Sequence, residues 1–233
     1  MTTLLLVRHG RTTANASGVL AGWTPGVGLD DTGRTQVAAL AERVGDLPLA
    51  AVVTSPLQRC RETAEPLLAA HPERRLEVDD DLGEVRYGDW TGQTLKSLAK
   101  DPLWKVVQGH PSAAVFPGDD AEGLATMQAR AVATIRSWNR ELGPDAVYVA
   151  VSHGDVIKAI LADALGTHLD QFQRIVVDPA SVSVINYTAT RPFVLRVNDT
   201  GAALDGFGRK KRGRRSRRTT SDAVVGGGAG EGS

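Results

Sequence analysis

Cysteine is almost absent from this 233-residue sequence, in which Cys60 is the single example. A lone cysteine excludes an internal disulfide and a metal site built from cysteines. Long apolar runs are also missing, so no membrane span and no membrane partner are predicted. The first residues lack the basic region, apolar core and small-residue cleavage site of a secretory signal. We therefore expect a cytoplasmic protein.

A net charge of one sign is lacking too, because 27 Lys and Arg residues balance 27 Asp and Glu residues. The balance conceals two unlike regions. Residues 209–233 carry a net charge of +6, from eight basic and two acidic residues, and residues 1–208 carry −6. The basic, Gly-rich region cannot bury apolar surface, so we expect it to be disordered. The folded domain is predicted to end near Gly208, and it is long enough to bury one core.

The first chemically distinctive residues follow a short apolar run, Leu4 to Val7. Such a run predicts a strand buried on both faces, and hence a sheet covered by helices. Arg8, His9 and Gly10 follow at the carboxyl end of that strand, where open α/β sheets place their ligands. Arg8 offers a charged donor fork for phosphate, His9 a nucleophile or base, and Gly10 space for an anion. The alternative is that Arg8 pairs with a carboxylate, His9 is a hydrogen-bonded structural histidine, and Gly10 only turns the chain.

A second junction of this kind follows the apolar run at residues 50–54. Ser55, Pro56 and Gln58 form the N-cap, first-position and capping-box pattern of a helix start. Arg59 would lie in the first turn of this helix, where free N–H groups and the helix dipole favour an anion. The alternative for Arg59 is an ordinary solvated charge.

Two further candidates lie downstream. Glu84 follows an acidic segment and has apolar and aromatic neighbours, which would desolvate the carboxyl and raise its pKa toward the range useful for proton donation. An exposed carboxylate is the alternative for this position. A third apolar run, residues 146–151, leads to Ser152, His153 and Gly154 and repeats the arrangement of strand, polar tip and helix.

The remaining segments complete a coarse fold. Residues 16–28 are predicted to be a loop, and Asp31 to cap a helix over residues 32–44. Residues 123–142 are predicted to be a long helix, and residues 182–187 and 193–197 an antiparallel edge. The whole predicts an α/β three-layer α/β/α sandwich with a mostly parallel central sheet. A small cap insertion is expected at about residues 94–122.

The stretch from Arg8 to Asn15, Arg-His-Gly-x-Thr-x-x-Asn, resembles the opening signature of the histidine phosphatase superfamily. That family includes cofactor-dependent phosphoglycerate mutases and many phosphatases. Residues 54–64 resemble its second block, residues 82–92 resemble the block that carries its acid, and His153 resembles its second histidine. The four blocks occur in the order of the family and cover most of residues 4–158.

This resemblance implies a role for each candidate residue. His9 would become phosphorylated, and Glu84 would act as the proton donor. Arg8, Arg59 and His153 would complete the catalytic set. No metal and no cofactor are expected. The residues implied for phosphate and substrate binding are Arg8, Gly10, Thr12, Asn15, Arg59, His153 and Gly154.

The reaction implied is hydrolysis of a small phosphomonoester by residues 1–208. A cofactor-dependent phosphoglycerate mutase is the first alternative, but only 69 positions separate Glu84 from His153, whereas family mutases generally carry a longer insertion there. A phosphatase whose basic tail binds nucleic acid or another anion is the second. The acidic body offers no further basic face, so nucleic acid is not expected as a partner. A non-catalytic phosphate-binding relative is the third.

Two questions stay open at this point. The sequence does not fix the oligomeric state, and a homodimer is one alternative. The substrate should be selected by the cap, in which Asp119, Asp120 and Glu122 would disfavour polyanionic substrates if they face the pocket.

Overall fold

A computed structural model describes residues 1–69, 71–202 and 225–226. In this part of the chain six strands form one sheet, in the order β3-β2-β4-β1-β5-β6. The strands are β1 Thr2–Arg8, β2 Leu49–Thr54, β3 Leu76–Val78, β4 Val147–Ser152, β5 Val182–Tyr187 and β6 Pro192–Asp199. The first four are parallel to one another, and β5 pairs antiparallel with both β1 and β6. The predicted α/β class, mostly parallel sheet and antiparallel edge are confirmed.

Helices cover both faces of the sheet. They are α1 Thr13–Ser17, α2 Asp31–Val44, α3 Gln58–Ala69, α4 Leu95–Leu98, α5 Pro102–Gly109, α6 Leu124–Leu142 and α7 Gly154–Ala164. Alternate residues of β1 explain the continuous apolar run. Leu4 and Leu6 enter the core shared with α6 and α7, whereas Leu5 and Val7 enter the core shared with α2 and α3. The chain therefore forms the three layers that the sequence predicts.

Three local predictions are wrong. Helix α2 is capped by Asp30 and not by Asp31, because the Asp30 carboxylate accepts the Gly33 N–H at 2.7 Å. Helix α3 begins at Gln58, three residues after the predicted cap at Ser55. The Ser55 hydroxyl is bonded to a histidine ring, and Gln58 donates to Glu62, so no capping box forms. The predicted loop over residues 16–28 begins inside the short helix α1.

The cap is an excursion between β3 and β4. Helices α4 and α5 lie in it, and Leu98, Val107 and Phe116 are buried against Trp90. Trp90 and Trp104 stack with their ring centroids 6.1 Å apart. The cap is thus fixed by an apolar cluster of its own that continues into the core of the α6 side.

Only Val225 and Gly226 are described beyond Ala202. Val225 is 2% exposed and belongs to the core on the α6 side. The prediction that residues 209–233 bury no apolar surface is therefore wrong at Val225, because a single valine in a polar stretch can still be buried in the core. The rest of that region, including the predicted domain end near Gly208, lies outside the described residues. Among the described helices, none is long and apolar enough to cross a membrane.

Candidate active site

The site lies where the carboxyl ends of three neighbouring strands meet. Arg8 ends β1 and faces Ser152 at the end of β4 in the parallel register. The Ser55 N–H, just after β2, donates to the Val151 carbonyl at 3.0 Å. The residues that follow each strand are thereby held side by side, and the sequence candidates on them are brought together as predicted.

His9 is held by its own backbone neighbour. Its Nδ1 lies 2.8 Å from the Gly10 carbonyl oxygen, which can only accept, so Nδ1 carries the proton. Nε2 accepts from Arg59 Nε at 3.3 Å. Burial lowers the pKa of His9 well below its usual range, and the charges of Arg59 and Arg8 lower it further. The ring is therefore neutral near pH 7, with its lone pair on Nε2.

Arg59 bridges the two histidines. Its Nη2 donates to the Gly22 carbonyl at 2.9 Å and to His153 Nδ1 at 3.2 Å, while its Nε reaches His9. The centroids of the two imidazole rings are 5.3 Å apart. Arg59 is itself buried, so the alternative of a solvated helix charge is wrong.

His153 is the opposite tautomer. A guanidinium can only donate, so Nδ1 of His153 accepts and the proton lies on Nε2, which donates to Ser55 Oγ at 2.7 Å. Burial lowers the pKa of His153 well below its usual range, and Arg59 adds to the effect. The role of Ser55 was missed because its position before a helix favoured the interpretation as a cap.

Glu84 is 4% exposed, which rules out the exposed carboxylate. Its Oε1 accepts the Val85 N–H at 3.0 Å, and its Oε2 lies 3.8 Å from His153 Nδ1. Burial, followed by the negative charge of Asp155, raises the pKa of Glu84 to about 7. A carboxyl with this pKa can hold a proton near neutral pH and release it during a reaction.

The backbone at and before Glu84 is held by hydrogen bonds from another helix. Arg130, on α6, donates to the carbonyl oxygens of Asp81, Gly83 and Glu84 at 2.7, 2.9 and 3.0 Å. It also forms a two-point ion pair with Glu122, at 3.0 and 2.6 Å. Arg130 could not be recognised from the sequence, because an arginine in the middle of an amphipathic helix carries no local signal of a backbone contact.

Arg8 is fully buried. Its Nη1 donates to the Val177 carbonyl at 2.8 Å, and its Nη2 donates to the Gly226 carbonyl at 3.2 Å. Burial lowers the pKa of Arg8 to about 10, which still leaves the guanidinium charged at neutral pH. A permanent positive charge therefore lies beneath the site.

A buried polar network continues from Arg8. The carboxylate of Asp155 accepts from the Tyr87 hydroxyl at 2.9 Å and from Lys158 Nζ at 3.1 Å. Burial raises the pKa of Tyr87 well above its usual range, and Asp155 contributes to the shift. The phenol therefore stays a donor, and it holds Asp155 at the edge of the site.

The smaller candidates have mixed roles. Thr12 caps α1, and its N–H and hydroxyl both donate to Asn15 Oδ1, which turns the Asn15 amide nitrogen into the group available to a ligand. The Gly10 N–H donates to Thr63. A Cβ on Gly10 would lie 2.8 Å from the Gly33 carbonyl oxygen, so this glycine admits the close approach of α2. Gly154 is the buried first residue of α7.

A small cavity opens above the reactive groups. Its volume is about 30 Å³. The candidates that line it are His9, Thr12, Asn15, Arg59 and Glu84, and they are joined by Val225 and Gly226. Arg8, Gly10, His153 and Gly154 are not among the lining residues.

The acidic residues of the cap do not line this cavity. Asp119 and Asp120 face an adjoining cleft of about 470 Å³, together with Trp23 and Arg86. Glu122 is occupied by Arg130. The acidic residues Asp119 and Asp120 could therefore disfavour polyanionic substrates only in the cleft, and not where His9, Arg59 and Glu84 meet.

A thiol nucleophile and a bound metal ion would be two other chemistries for such a site. Cys60 lies 3.4 Å from His153 Nε2, but burial raises the pKa of its thiol to about 12, so the sulfur stays protonated. Within the described ranges, no three His, Cys, Asp or Glu side chains are grouped to hold a metal ion.

Comparison with known proteins agrees with this geometry. Residues 4–200 match the sequence profile of the histidine phosphatase superfamily (branch 1). Uncharacterized protein Rv0525 of Mycobacterium tuberculosis is 46% identical over 79 residues, which are 34% of this chain and only 38% of that protein. Phosphoserine phosphatase 1 of Hydrogenobacter thermophilus is 29% identical over 210 residues, 86% of this chain and 93% of that protein.

The fold is also shared with a solved structure. The mycobacterial glucosyl-3-phosphoglycerate phosphatase in complex with VO₃ has a TM-score of 0.75 and 25% identity, over 84% of this chain and 98% of that chain. The profile spans the opening strand, the two histidines and the last strand. This chain therefore belongs to the histidine phosphatase superfamily.

Proposed function

We propose that this chain is a phosphomonoester hydrolase that works through a phosphohistidine at His9 Nε2. The observation that carries the proposal is the hydrogen bond from His9 Nδ1–H to the Gly10 carbonyl oxygen. It fixes the lone pair on Nε2, beside Arg59, and His9 is one of the residues that line the cavity. A neutral imidazole of this tautomer is a nucleophile suited to in-line attack on phosphorus.

The negative charge of the phosphoryl group is the first obstacle, because its oxygens repel the nucleophile. Arg8 and Arg59 neutralise that charge, and the amide of Asn15 adds a donor. His153 joins them once it gains a proton, since a nearby dianion raises the pKa of an imidazole. Because the arginines supply the positive charge, the proposed mechanism needs no metal ion and no organic cofactor.

Glu84 handles the proton in both steps. In the first, the bond from His9 Nε2 to phosphorus forms, the ester P–O bond breaks, and Glu84 gives its proton to the departing oxygen. In the second, water attacks phosphorus, Glu84 takes a proton from it, and the P–N bond breaks. Inorganic phosphate leaves, and both residues return to their starting states.

The adjoining cleft suggests the substrate class. Arg86 can meet a carboxylate there, and Asp119 and Asp120 can meet an ammonium group, so the cleft suits a zwitterionic remainder better than a second phosphate. A relative named phosphoserine phosphatase is consistent with this choice. We propose a small phosphorylated metabolite of this kind, and a panel of phosphate monoesters that includes phosphoserine and a bisphosphorylated sugar tests it.

The mechanism is tested by trapping the phosphoenzyme. The full chain, incubated with a ³²P-labelled monoester and quenched in base, should retain label that is released in acid, as expected for a phosphoramidate. His9→Ala should lose both the label and turnover, because the nucleophile is gone. His110→Ala removes an imidazole whose side chain is 79% exposed, and it should retain both. Turnover that persists in a folded His9→Ala protein contradicts the proposal.

A mutase would give a different product from the same intermediate. With 3-phosphoglycerate as substrate, hydrolysis releases inorganic phosphate, whereas a mutase forms 2-phosphoglycerate. We expect phosphate, because the short segment from Glu84 to His153 leaves little chain to keep water from the phosphoenzyme.

A further inference from the structure

Val225 and Gly226 reach the candidate active site from far along the chain. Val225 is buried in the same core cluster as Leu20 and Tyr87. The Gly226 N–H donates to the Asp155 carboxylate at 2.9 Å, and the Gly226 carbonyl accepts from Arg8 Nη2 at 3.2 Å. This two-residue segment therefore uses both its apolar side chain and its backbone to bind at the site.

We propose that residues 225–226 are an internal competitor of the substrate, and that they leave the site when a phosphomonoester binds. The proposal rests on the proposed function, because that function assigns Arg8 to the phosphoryl group. The Arg8 Nη2–H that donates to the Gly226 carbonyl cannot donate to a phosphoryl oxygen at the same time. Substrate and segment thus share one binding group.

Space leads to the same conclusion. The cavity beside His9 has a volume of about 30 Å³ while Val225 and Gly226 form part of its wall. On this scale a cavity needs about 10–15 Å³ to hold one water, so the space beside the two tail residues takes a few waters. Departure of Val225 and Gly226 would enlarge it for the substrate. The two tail residues share this wall with loop residues such as Gly18 and Gly22, and with Arg59 on α3.

The balance between the two ligands favours substrate at high concentration. A neutral carbonyl is a weaker partner for a guanidinium than a phosphoryl dianion is. The segment compensates by covalent attachment, which holds it at an effective concentration on the order of millimolar. Bound segment therefore lowers the fraction of molecules competent to bind, which raises KM and leaves kcat nearly unchanged.

The test uses the full chain with Val225→Ser, which shortens the side chain and puts a hydroxyl in an apolar site, so its burial is weakened. Val115→Ser makes the same change at a side chain that is 66% exposed and serves as the control. Calorimetry gives the Kd for inorganic phosphate, and p-nitrophenyl phosphate gives KM and kcat. We expect Val225→Ser to lower both Kd and KM by roughly threefold to tenfold with little change in kcat. The control should match the wild type.

Gly226→Val provides an independent variant. Gly226 has a φ of +74°, and an added Cβ would lie 3.0 Å from Leu20, so any side chain opposes the bound conformation. It should shift Kd and KM in the same direction as Val225→Ser. Unchanged values in both variants overturn the proposal. A raised KM with a lowered kcat also overturns the proposal, since residues 225–226 would then help to form the site that binds the substrate.

Failure of the proposed function gives a different result. If neither the wild type nor the variants hydrolyse any monoester, yet phosphate binds more tightly to both variants, the competition stands and the hydrolase proposal fails. If the wild type turns over and phosphate affinity does not change in either variant, the hydrolase proposal stands and the competition fails.

Discussion

The same removal from water acts in opposite directions on His9, the proposed nucleophile, and on Glu84, the proposed acid. Burial lowers the pKa of His9 and raises the pKa of Glu84, because in each case the uncharged form is favoured. Below about pH 7 Glu84 holds its proton, while His9 stays neutral because its pKa lies well below its usual range. Both groups are then in the state that the first chemical step requires.

Glu84→Gln tests this arrangement. In the wild type, kcat/KM should fall as pH rises through about 7, because Glu84 loses the proton that it must donate. The variant should lack this alkaline limb, and its rate at pH 6 should be lower by about 10² to 10⁴. An alkyl phosphate is the substrate of choice, since its leaving group needs the proton.

The control for this profile is Glu73→Gln, which makes the same change in a carboxylate whose side chain is 61% exposed. Its profile should coincide with that of the wild type. An alkaline limb that persists in Glu84→Gln would assign the proton to another group.

Among the helices, α6 connects the site to the rest of the fold. Arg130 binds three carbonyl oxygens of the segment that carries Glu84, and Glu122 accepts the Arg86 N–H on the other side. Trp23 Nε1–H also donates to the Glu84 carbonyl, at 2.6 Å. The acid is thus placed by backbone contacts from an element distant in sequence, and not by its own secondary structure.

Arg130→Ala should therefore reduce both stability and turnover. Removal of one partner leaves the half-buried Glu122 carboxylate and three carbonyl oxygens without their donor, which costs about 1–3 kcal/mol. Arg136→Ala on the same helix breaks a surface pair whose arginine side chain is 62% exposed, and should cost no more than about 1 kcal/mol. Chemical unfolding and kcat/KM measure both effects. Equal losses of stability and of kcat/KM in the two variants would contradict the role of Arg130 in holding the Glu84 backbone.

Gly10→Ala tests the contact between the loop after β1 and α2. The new Cβ would lie 2.8 Å from both the Gly33 carbonyl oxygen and Val37 Cγ2, so α2 must shift. We expect a loss of about 1–3 kcal/mol in the free energy of unfolding. Gly109→Ala adds a Cβ with open space around it and should leave stability unchanged or raise it. A stable Gly10→Ala protein would show that the close approach is dispensable.

Most of the elements could be predicted because their signals are local. The apolar run before Arg8 and the periodicity of Val37, Leu40 and Val44 depend only on neighbours in the sequence. The start of α3 could not be predicted, since the competing partner of Ser55 is His153, a residue 98 positions away. The contacts of Arg130 and Gly226 were missed for the same reason, as a long-range hydrogen bond leaves no periodic pattern.

For the molecule as a whole, the two buried neutral imidazoles make stability depend on pH. In the unfolded chain His9 and His153 take up protons near pH 6.5, whereas in the folded chain they do so only at much lower pH. The unfolded state then binds more protons, so stability is full above about pH 6.5 and is lost as pH falls below it.

Glu84 acts in the opposite sense. The pKa of Glu84 is higher in the folded chain than in the unfolded chain. Its contribution to the free energy of unfolding is therefore present below the unfolded pKa and is lost as pH rises toward 7. Chemical unfolding at pH 5.5 and 7.5 should show a net loss on acidification, with each imidazole contributing at most about 1.4 kcal/mol per pH unit. His9→Gln should reduce this loss, and His110→Ala should not. An equal pH dependence in His9→Gln and the wild type would contradict the assignment.

The order of the strands has a consequence for synthesis of the chain. β1 is made first, but its hydrogen-bond partners are β4 and β5, whose residues lie between Val147 and Tyr187. A nascent chain that has not yet extended past β5 cannot complete the pairing of the strand that ends in Arg8. The pocket around His9 thus assembles only when most of the polypeptide has left the ribosome, and a chain released early would carry His9 without the strands that complete its surroundings.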